Sequence, residues 1–274
     1  MPLNQFTAHL TSDADYINPQ DGLRYCGKCR TPKEKYFEKG LDLWGMKKHP
    51  VLCRCAAQEQ ERQDAALREF SRQNHLQQLR SDAFRDIPAA LWKFDDRKMT
   101  SQLELARRFT EHWQEFRKDG MGLLLFGNVG TGKSYAAGCI ANALIDQGVS
   151  VRFVGLSDVV NRMQGLHGDE RDTYMKSLLK AELLILDDLG AERSTSFGKE
   201  QVFDVINKRT LSHKPLIVTT NIPLHAMQSA VDIEERRIYD RILEVCTPIR
   251  FDGENFRKAG AAENLKKAAQ LLQG

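Results

Sequence analysis

The run GNVGTGKS at residues 127–134 fits the phosphate-binding loop pattern G-x-x-x-x-G-K-[ST] at every position. The apolar segment MGLLLF at 121–126 precedes it and indicates a buried strand, and SYAAGCIANALI at 134–145 indicates a helix. Such a turn between a strand and a helix directs backbone N–H groups and the positive end of the helix dipole at one anion. The sequence therefore predicts an α/β fold with a phosphate site at this turn.

We expect consecutive residues of this turn to contact a nucleotide. The pattern predicts that Lys133 reaches the β- and γ-phosphates of a nucleotide and that Ser134 holds Mg²⁺. A glycine-rich turn with an unrelated lysine is the alternative, but it does not account for the strand and the helix in register on either side. The predicted contacts are Gly127, Asn128, Val129, Gly130, Thr131, Gly132, Lys133, Ser134 and Tyr135.

A pair of acids follows a second apolar run in LLILDDLG at 183–190. A buried parallel strand delivers the residues after it to the carboxyl edge of the sheet, where ligands bind in open α/β folds. Asp187 is predicted to hold Mg²⁺. Asp188, on the other face of the strand end, is predicted to orient or deprotonate the attacking water. An acidic turn without a metal is the alternative for this pair.

A third strand is predicted at PLIVTTN, residues 215–221, and it ends in Asn221. The same edge of the sheet would bring the Asn221 amide to the γ-phosphate or to the nucleophilic water. Asparagine also favours turns, and the dipeptide Ile-Pro follows it. Both interpretations of Asn221 stay open from the residues alone.

The composition is that of a globular protein with a locally basic segment. The chain has 274 residues, 41% of them hydrophobic, with a mean hydropathy of −0.48 and a formal net charge of +3. No apolar run approaches the ~20 residues that span a bilayer, and MPLNQFTAHLTSDADY lacks the features of a signal peptide. We therefore expect a cytoplasmic protein without a membrane partner. Residues 24–55 carry nine Lys and Arg against three acids.

The basic segment contains four of the six cysteines, as Cys26-x-x-Cys29 and Cys53-x-Cys55. Paired short spacings in a cytoplasmic chain favour metal ligands over disulfides. Four thiolates can form a closed tetrahedral zinc site, which would stabilise a module too small to bury a large core. The second spacing is shorter than the commonest ribbon spacing, and His49 is an alternative ligand.

Aromatic residues are interleaved with the basic residues of this segment. Such a mixture is typical of a surface for single-stranded nucleic acid, of the small core of a zinc module, or of a protein-docking surface. The sequence alone does not choose among the three. The aromatic residues are Tyr25, Tyr36, Phe37 and Trp44.

Strands and helices alternate through the rest of the chain. A helix is predicted over 101–118, with Ser101 and Glu104 as the capping box at its start. The strand VRFVG at 151–155 follows the phosphate-loop helix. This alternation predicts a three-layer fold around a parallel sheet. The predicted domains are a zinc-binding module at 1–58, a helical linker at 59–82 and an ATPase domain at 83–274.

Several arginines follow the third strand, in RIYDRILE at 237–244 and IRFDGENFR at 249–257. An NTPase that works between subunits needs an arginine to reach a neighbour's γ-phosphate, whereas ordinary helix-surface charge is the alternative. The motifs GNVGTGKS, LLILDDLG, VTTN, RIYDRILE and IRFDGENFR occur in this order. Over residues 85–257 the chain thus resembles the ATPase domain of the DnaC/IstB group of AAA+ proteins.

The resemblance implies roles for residues that the spacing alone does not assign. It implies an AAA+ P-loop ATPase that uses ATP and Mg²⁺, with Asn221 as sensor 1 and Arg257 as sensor 2 acting in cis. Arg241 would be the arginine finger acting in trans, and Arg237 is an alternative finger. Asp188 departs from the group, because most AAA+ proteins carry Glu there. The shorter side chain predicts slow turnover.

The resemblance also implies partners. Helicase loaders of the DnaC and DnaI kind carry an N-terminal domain that grips the hexameric replicative helicase, and in DnaI-like proteins that domain binds zinc. A chain of this kind would self-associate into a spiral or ring on single-stranded DNA. The segment at 191–200 would face the DNA, or it would be a plain flexible loop. The predicted DNA contacts are Arg193, Thr195, Phe197 and Lys199.

Two other functions fit the sequence. An IstB-like helper ATPase of a transposase would bind duplex DNA and a transposase in place of a helicase. A zinc adaptor with an ATP-gated switch would hydrolyse ATP at a negligible rate. The intact Lys133 and the two aspartates argue against the adaptor, and the cysteine-rich module favours the loader over the helper.

Overall fold

The structure, a computed structural model, describes residues 14–38, 45–85, 92–96, 99–191, 195–253 and 255–272. The chain divides into two compact units, Met1–Gln73 and Asn74–Gly274. Trp44 and Arg193, which the sequence analysis singled out, lie outside the described residues. Within the described part of the chain, no helix has both the length and the apolar character that crossing a membrane requires.

Two short antiparallel hairpins form the described β-structure of the first unit. Strand β1 (Tyr16–Ile17) pairs with β2 (Arg24–Tyr25), and β3 (Glu34–Tyr36) pairs with β4 (Lys48–Pro50). Helix α1 (Arg54–Phe84) begins shortly after the second hairpin and continues into the second unit. The two predicted cysteine pairs therefore lie at the end of β2 and at the start of α1.

Among the described residues of the second unit, five parallel strands form one sheet. The strand that leads into the phosphate loop lies inside the sheet, with a neighbour on each side, and its residues from Gly122 to Phe126 are buried. The predicted α/β class with a parallel sheet is confirmed. The strands are β5 (Gly122–Gly127), β6 (Val151–Gly155), β7 (Leu183–Leu189), β8 (Leu216–Thr220) and β9 (Cys246–Phe251), in the order β6-β7-β8-β5-β9.

Helices cover both faces of this sheet. Leu123 and Leu125 of β5 belong to one core cluster, and Leu124 and Phe126 belong to another. Because successive strand residues face opposite sides, the two clusters lie on opposite faces, and the three-layer prediction is confirmed. The helices are α2 (Ser101–Glu111), α3 (Trp113–Asp119), α4 (Lys133–Asp146), α5 (Leu156–Gly165), α6 (Asp169–Lys180), α7 (Ser196–Leu211), α8 (Leu224–Gln228), α9 (Ile233–Val245) and α10 (Phe256–Leu272).

The predicted helix over 101–118 is in fact two helices, α2 and α3, which meet at His112. The N-cap of α2 is Thr100, whose hydroxyl accepts the N–H of Leu103 at 3.2 Å. The capping box predicted at Ser101 is therefore wrong by one residue. Thr100 has an extended backbone, whereas Ser101 is already helical, and a capping side chain must lie just outside the helix to reach back to it.

A buried arginine connects the amino ends of two strands, at the end of the sheet opposite the phosphate loop. Arg209 of α7 is fully buried and donates to the carbonyls of Ala181, Glu182 and Pro215, at 2.7–2.8 Å for the shortest contact to each. Burial lowers the pKa of Arg209 to about 9, so the side chain keeps its charge at neutral pH. Because these carbonyls come just before β7 and β8, the arginine ties the amino ends of both strands together.

Candidate functional site

The phosphate loop joins β5 to α4, as the sequence predicted. Gly127 and Gly130 have φ angles of 135° and 80°, which favour glycine. A Cβ on Gly130 would overlap the side chain of Asn255, and a Cβ on Gly127 would overlap the backbone of Phe251. These glycines therefore let β9 and the segment after it approach the loop, where the N–H of Phe256 donates to the carbonyl of Gly130 at 3.0 Å.

Lys133 is held inside the site and is only 7% exposed. Its ammonium group donates to the carbonyls of Gly127 and Asn128 at 3.0 and 2.6 Å and to Oδ1 of Asn221 at 2.8 Å. Burial lowers the pKa of Lys133, and neighbouring carboxylates oppose that shift. The positive charge thus lies between the phosphate loop and the end of the third predicted strand.

Asp187 lies near the carboxyl end of β7, beside the first turn of α4. Its Oδ1 accepts the hydroxyl hydrogen of Thr219 at 2.6 Å, and Ser134 also hydrogen-bonds to the carboxylate. Burial raises the pKa of Asp187, and both hydrogen bonds act to lower it. The two predicted Mg²⁺ ligands, Ser134 and Asp187, are therefore adjacent. A carboxylate beside a hydroxyl is an oxygen donor set that suits Mg²⁺.

Asp188 lies in a β-bulge between β7 and β8. The pairing of the strands shifts between Leu186 and Leu189, so Asp187 and Asp188 together oppose one residue, Thr219. Asp188 has a φ of 63°, in the left-handed region. A regular strand would turn the two acids to opposite faces, as the sequence analysis expected. In the structure, both acids line one cavity at this bulge.

Asn221 connects two of the predicted site residues. Its Oδ1 accepts from Lys133 at 2.8 Å, and its Nδ2 donates to Oδ1 of Asp188 at 3.2 Å. A polar chain therefore runs from the lysine through the amide to the second acid. This position accords with the interpretation of Asn221 as a site residue, while its action on a γ-phosphate or a water molecule stays a prediction.

These groups line one side of a cavity of about 490 Å³, and apolar side chains line another. The rings of Trp92 and Tyr135 lie 5.9 Å apart, and the Tyr135 hydroxyl donates to the carbonyl of Lys93 at 2.5 Å. An apolar wall beside convergent polar groups is typical of a pocket for a small ligand, and it fits an aromatic base joined to phosphates. Sequence patterns alone did not predict a place in the cavity for its lining residues Trp92, Thr100, Leu103, Thr219, Phe251 and Phe256.

The two predicted catalytic arginines occupy different places. Arg257, in the first turn of α10, lines the cavity. Arg241 is not among the described residues that line it, and its guanidinium pairs with Glu244 at 2.7 Å. The alternative finger, Arg237, lies over the ring of Phe203 with Cζ 5.6 Å from the centroid. These positions set Arg257 beside the nucleotide site and Arg241 outside it, and their roles stay predictions.

Two of the predicted DNA contacts have partners inside the chain. Thr195 is the N-cap of α7, and its hydroxyl accepts the N–H of Gly198 at 3.1 Å. Phe197 packs against a core cluster, with the guanidinium of Arg171 5.5 Å from its ring centroid. Both side chains therefore have roles in holding α7 in place.

Lys199 is also engaged within the chain. It forms ion pairs with Asp232 and Glu235 at 3.3 and 3.0 Å, and the hydrogen bond with Glu235 is the main cause that raises the pKa of Lys199. No local sequence pattern predicts these partners, because they lie at the start of α9, far along the chain. Contacts of this segment with DNA stay a prediction.

The four cysteines of the first unit lie together. The Sγ atoms of Cys26, Cys29, Cys53 and Cys55 are all within 4.8 Å of one another, with 3.4 Å between the last two. Four sulfurs at Zn–S distances of about 2.3 Å in a tetrahedron are separated by about 3.8 Å, so the cluster fits zinc. His49 is not part of the cluster, and its ring packs 4.9 Å from that of Phe37.

Comparison with known proteins gives a consistent result. The replicative helicase loader DnaI of Bacillus subtilis is 24% identical over 259 residues, which cover 89% of this chain and 81% of DnaI. The replicative helicase loader DnaC of Escherichia coli is 22% identical over 209 residues, 75% of this chain and 81% of DnaC. The crystal structure of a DNA replication initiation factor has a TM-score of 0.50 at 18% identity, over 65% of this chain and 55% of that chain, which supports the fold.

The family is established by a match that covers most of the chain. The model of the family described as IstB-like ATP binding protein matches residues 57–264. This range includes the phosphate loop, the acid pair, Asn221 and both predicted catalytic arginines. The resemblance that the motifs indicated is confirmed, and the chain belongs to the family of IstB-like ATP binding proteins.

Proposed function

We propose that this protein is an ATP-dependent loader of the replicative DNA helicase, which places the helicase on single-stranded DNA. The observation that carries the proposal is one cavity that joins the phosphate loop, the acid pair and Asn221 in a chain related to DnaI over 89% of its length. The relatives named as helicase loaders support the biological role, and the cavity supports the chemistry.

Each part of the cavity has a task in ATP hydrolysis. The phosphate loop binds the triphosphate through backbone N–H groups, and Lys133 moves its charge from the loop carbonyls to the phosphates. Ser134 and Asp187 would hold Mg²⁺, and the bound ion would supply positive charge beside the phosphates. Asp188 orients the attacking water, and Asn221 positions that water or the γ-phosphate. Arg257 contacts the nucleotide in cis.

The hydrolysis is expected to be slow. Asp188 has a shorter side chain than the Glu that most AAA+ proteins carry, and its carboxylate is held by Asn221 at 3.2 Å. A shorter acid lies farther from the water that it orients, so the transition state gains less from it. Slow turnover suits a timed release of the helicase once it is on DNA.

The N-terminal segment supplies the proposed grip on the helicase. We assign residues 1–58 to a zinc-binding docking module, 59–82 to a helical linker and 83–274 to the ATPase domain. The compact cysteine cluster and the positive charge of residues 24–55 support a separate module. The ATPase domains would assemble side by side on single-stranded DNA in the cytoplasm, with residues 191–200 facing the strand.

The loader proposal is tested by co-fractionation of the full chain with the hexameric replicative helicase of its host. We expect a stable complex whose persistence differs among ATP, ADP and no nucleotide. A Cys26→Ser variant should lose the complex, because the docking module needs its metal, and a Cys139→Ala variant in α4 serves as the matched cysteine control.

A transposase helper is the second candidate, because the family description names IstB-like proteins. The same co-fractionation separates the two functions. Absence of a helicase complex in every nucleotide state, together with binding to duplex DNA, would refute the loader and favour the helper.

We further propose that Arg241 completes the site of a neighbouring subunit. Its position outside the cavity supports action in trans, and so does its exposed pairing with Glu244. Arg241→Ala and Lys133→Ala subunits, each inactive alone, should regain part of the ATPase rate when mixed, since some interfaces then hold an intact lysine and an intact arginine. Steady-state phosphate release over a range of mixing ratios measures the recovery.

An arginine of the same helix provides the control for this experiment. Arg236 is exposed on α9, and an Arg236→Ala variant should keep its ATPase rate without any partner. If no mixing ratio of the Arg241 and Lys133 variants restores activity, the trans assignment of Arg241 is wrong.

A further inference from the structure

Strands β7 and β8 fall out of register at the place where the acid pair enters the cavity. Leu186 pairs with Val218, and Leu189 pairs with Thr220, so two acids oppose Thr219 alone. The second acid has left-handed backbone geometry, which aspartate adopts more readily than most residues with a side chain. The bulge also interrupts the regular pairing of the two strands, so hydrogen bonds other than those of the regular ladder hold it.

The hydroxyl of Thr219 provides two such hydrogen bonds. It donates to Oδ1 of Asp187 at 2.6 Å and accepts the backbone N–H of Asp188 at 2.9 Å. Thr219 is 1% exposed, so both bonds are shielded from water. A short hydrogen bond to a carboxylate is one of the stronger kinds. One hydroxyl thus fixes the side chain of the first acid and the backbone of the second.

The next residue, Thr220, has hydrogen-bond partners of a different kind from those of Thr219. Thr220 is also fully buried, but its hydroxyl donates to the carbonyl of Leu189 at 2.8 Å and accepts the N–H of Ile222 at 3.0 Å. Thr220 therefore bonds only to backbone groups, and neither of them belongs to the acid pair. Only Thr219 of the two bonds to a carboxylate that lines the cavity.

We propose that Thr219 is a positioning residue of the nucleotide site, which aims the carboxylate of Asp187 at the metal and holds Asp188 in its bulged position. This inference rests on the proposed nucleotide site and gives a role to Thr219, which lies in the motif VTTN but has no role assigned there. Thr219 acts through the two acids. Loss of its hydroxyl should therefore weaken Mg²⁺ binding without weakening the contacts of Lys133 and the phosphate loop with the nucleotide.

The test measures how the affinity for a fluorescent, non-hydrolysable ATP analogue increases with the Mg²⁺ concentration. The wild-type protein and the variants are compared by the Mg²⁺ concentration at which half of this increase is reached. Thr219→Val keeps the shape of the side chain and removes the hydroxyl, and it should raise this concentration about tenfold, as loss of one charge-assisted hydrogen bond predicts. Affinity for the analogue without Mg²⁺ should stay at the wild-type value. Thr219→Ser restores the hydroxyl and should return the Mg²⁺ requirement to near the wild-type value.

Thr220→Val is the matched structural control. It should lower the melting temperature and leave the Mg²⁺ requirement unchanged, because its hydroxyl bonds only to backbone. If Thr219→Val lowers the melting temperature but keeps the wild-type Mg²⁺ requirement, Thr219 has only a structural role and the inference is overturned. If the Thr219→Val variant does not fold, a Thr219→Ser variant whose Mg²⁺ requirement is raised about tenfold would also overturn the inference.

The outcome for the wild-type protein separates this inference from the proposed function. Wild-type protein that binds the analogue with a clear Mg²⁺ dependence supports the nucleotide site, whatever the Thr219 variants do. Wild-type protein that does not bind the analogue at all contradicts the nucleotide site itself, and the role of Thr219 falls with it.

Discussion

Replacing Lys133 with alanine is expected to reduce ATP turnover about a hundredfold or more. The lysine supplies the charge that meets the developing negative charge on the phosphates, and removal of one such group from a shielded site typically costs two to three orders of magnitude in rate. In the structure its ammonium group also anchors Asn221 at 2.8 Å, so the variant would loosen a second site residue. Steady-state phosphate release, with and without single-stranded DNA, measures the effect.

Another lysine of this chain provides the matched control. Lys214 donates to the carbonyls of Leu179 and Lys180 at 3.1 and 3.2 Å, so it too bonds to backbone oxygens, but it is not among the described residues that line the cavity. Lys214→Ala should keep most of the turnover. Equal rates for wild type and Lys133→Ala would contradict the catalytic proposal and favour an adaptor that binds ATP without hydrolysing it.

Removal of zinc is expected to unfold the N-terminal module. Among the described residues at 14–38 and 45–73, only Cys26 and Cys53 are buried, so the module has almost no hydrophobic core of its own. Small modules of this kind depend on a structural metal for their folding free energy, because binding and folding occur together. We expect about one zinc per chain in the purified protein, and a Cys26→Ser variant should lose it.

Metal analysis and amide hydrogen exchange measure this effect together. The hairpins β1–β2 and β3–β4 should lose protection in the Cys26→Ser variant, while the sheet of the second unit keeps it, and nucleotide binding should persist. Cys139, buried in α4 outside the cluster, provides the control, since Cys139→Ala should keep the metal. A purified protein with almost no zinc and with fully protected hairpins would show that the module does not need a metal.

Short-range patterns predicted a large part of this molecule. The phosphate loop, the strand before it and the helix after it are encoded within residues 121–145, because loop geometry depends on local glycines and strand burial on a local apolar run. The short cysteine spacings also indicated a metal cluster, although the fold of the module was needed to bring the two pairs together. The position of Asn221 followed from a rule about parallel strands, whose carboxyl ends share one edge.

Other features depended on residues that are distant in sequence. The capping box at Ser101 was misplaced by one residue because a cap is set by the backbone angles at Thr100, which composition does not encode. Phe197 and Lys199 looked available for DNA, yet α6 and α9 bring Arg171, Asp232 and Glu235 to them. Such partners become visible only when helices from separate segments pack together.

The sequence by itself determined the α/β class, the phosphate loop and the residues that gather at one edge of the sheet, because each is written in a contiguous pattern. The tertiary structure alone decided that both acids of the pair enter one cavity, that Thr219 holds them, and that Trp92 and Phe256 line that cavity. The physical reason is register. A shift between β7 and β8 changes which way a side chain points, and it is set by the pairing of two strands rather than by either strand alone.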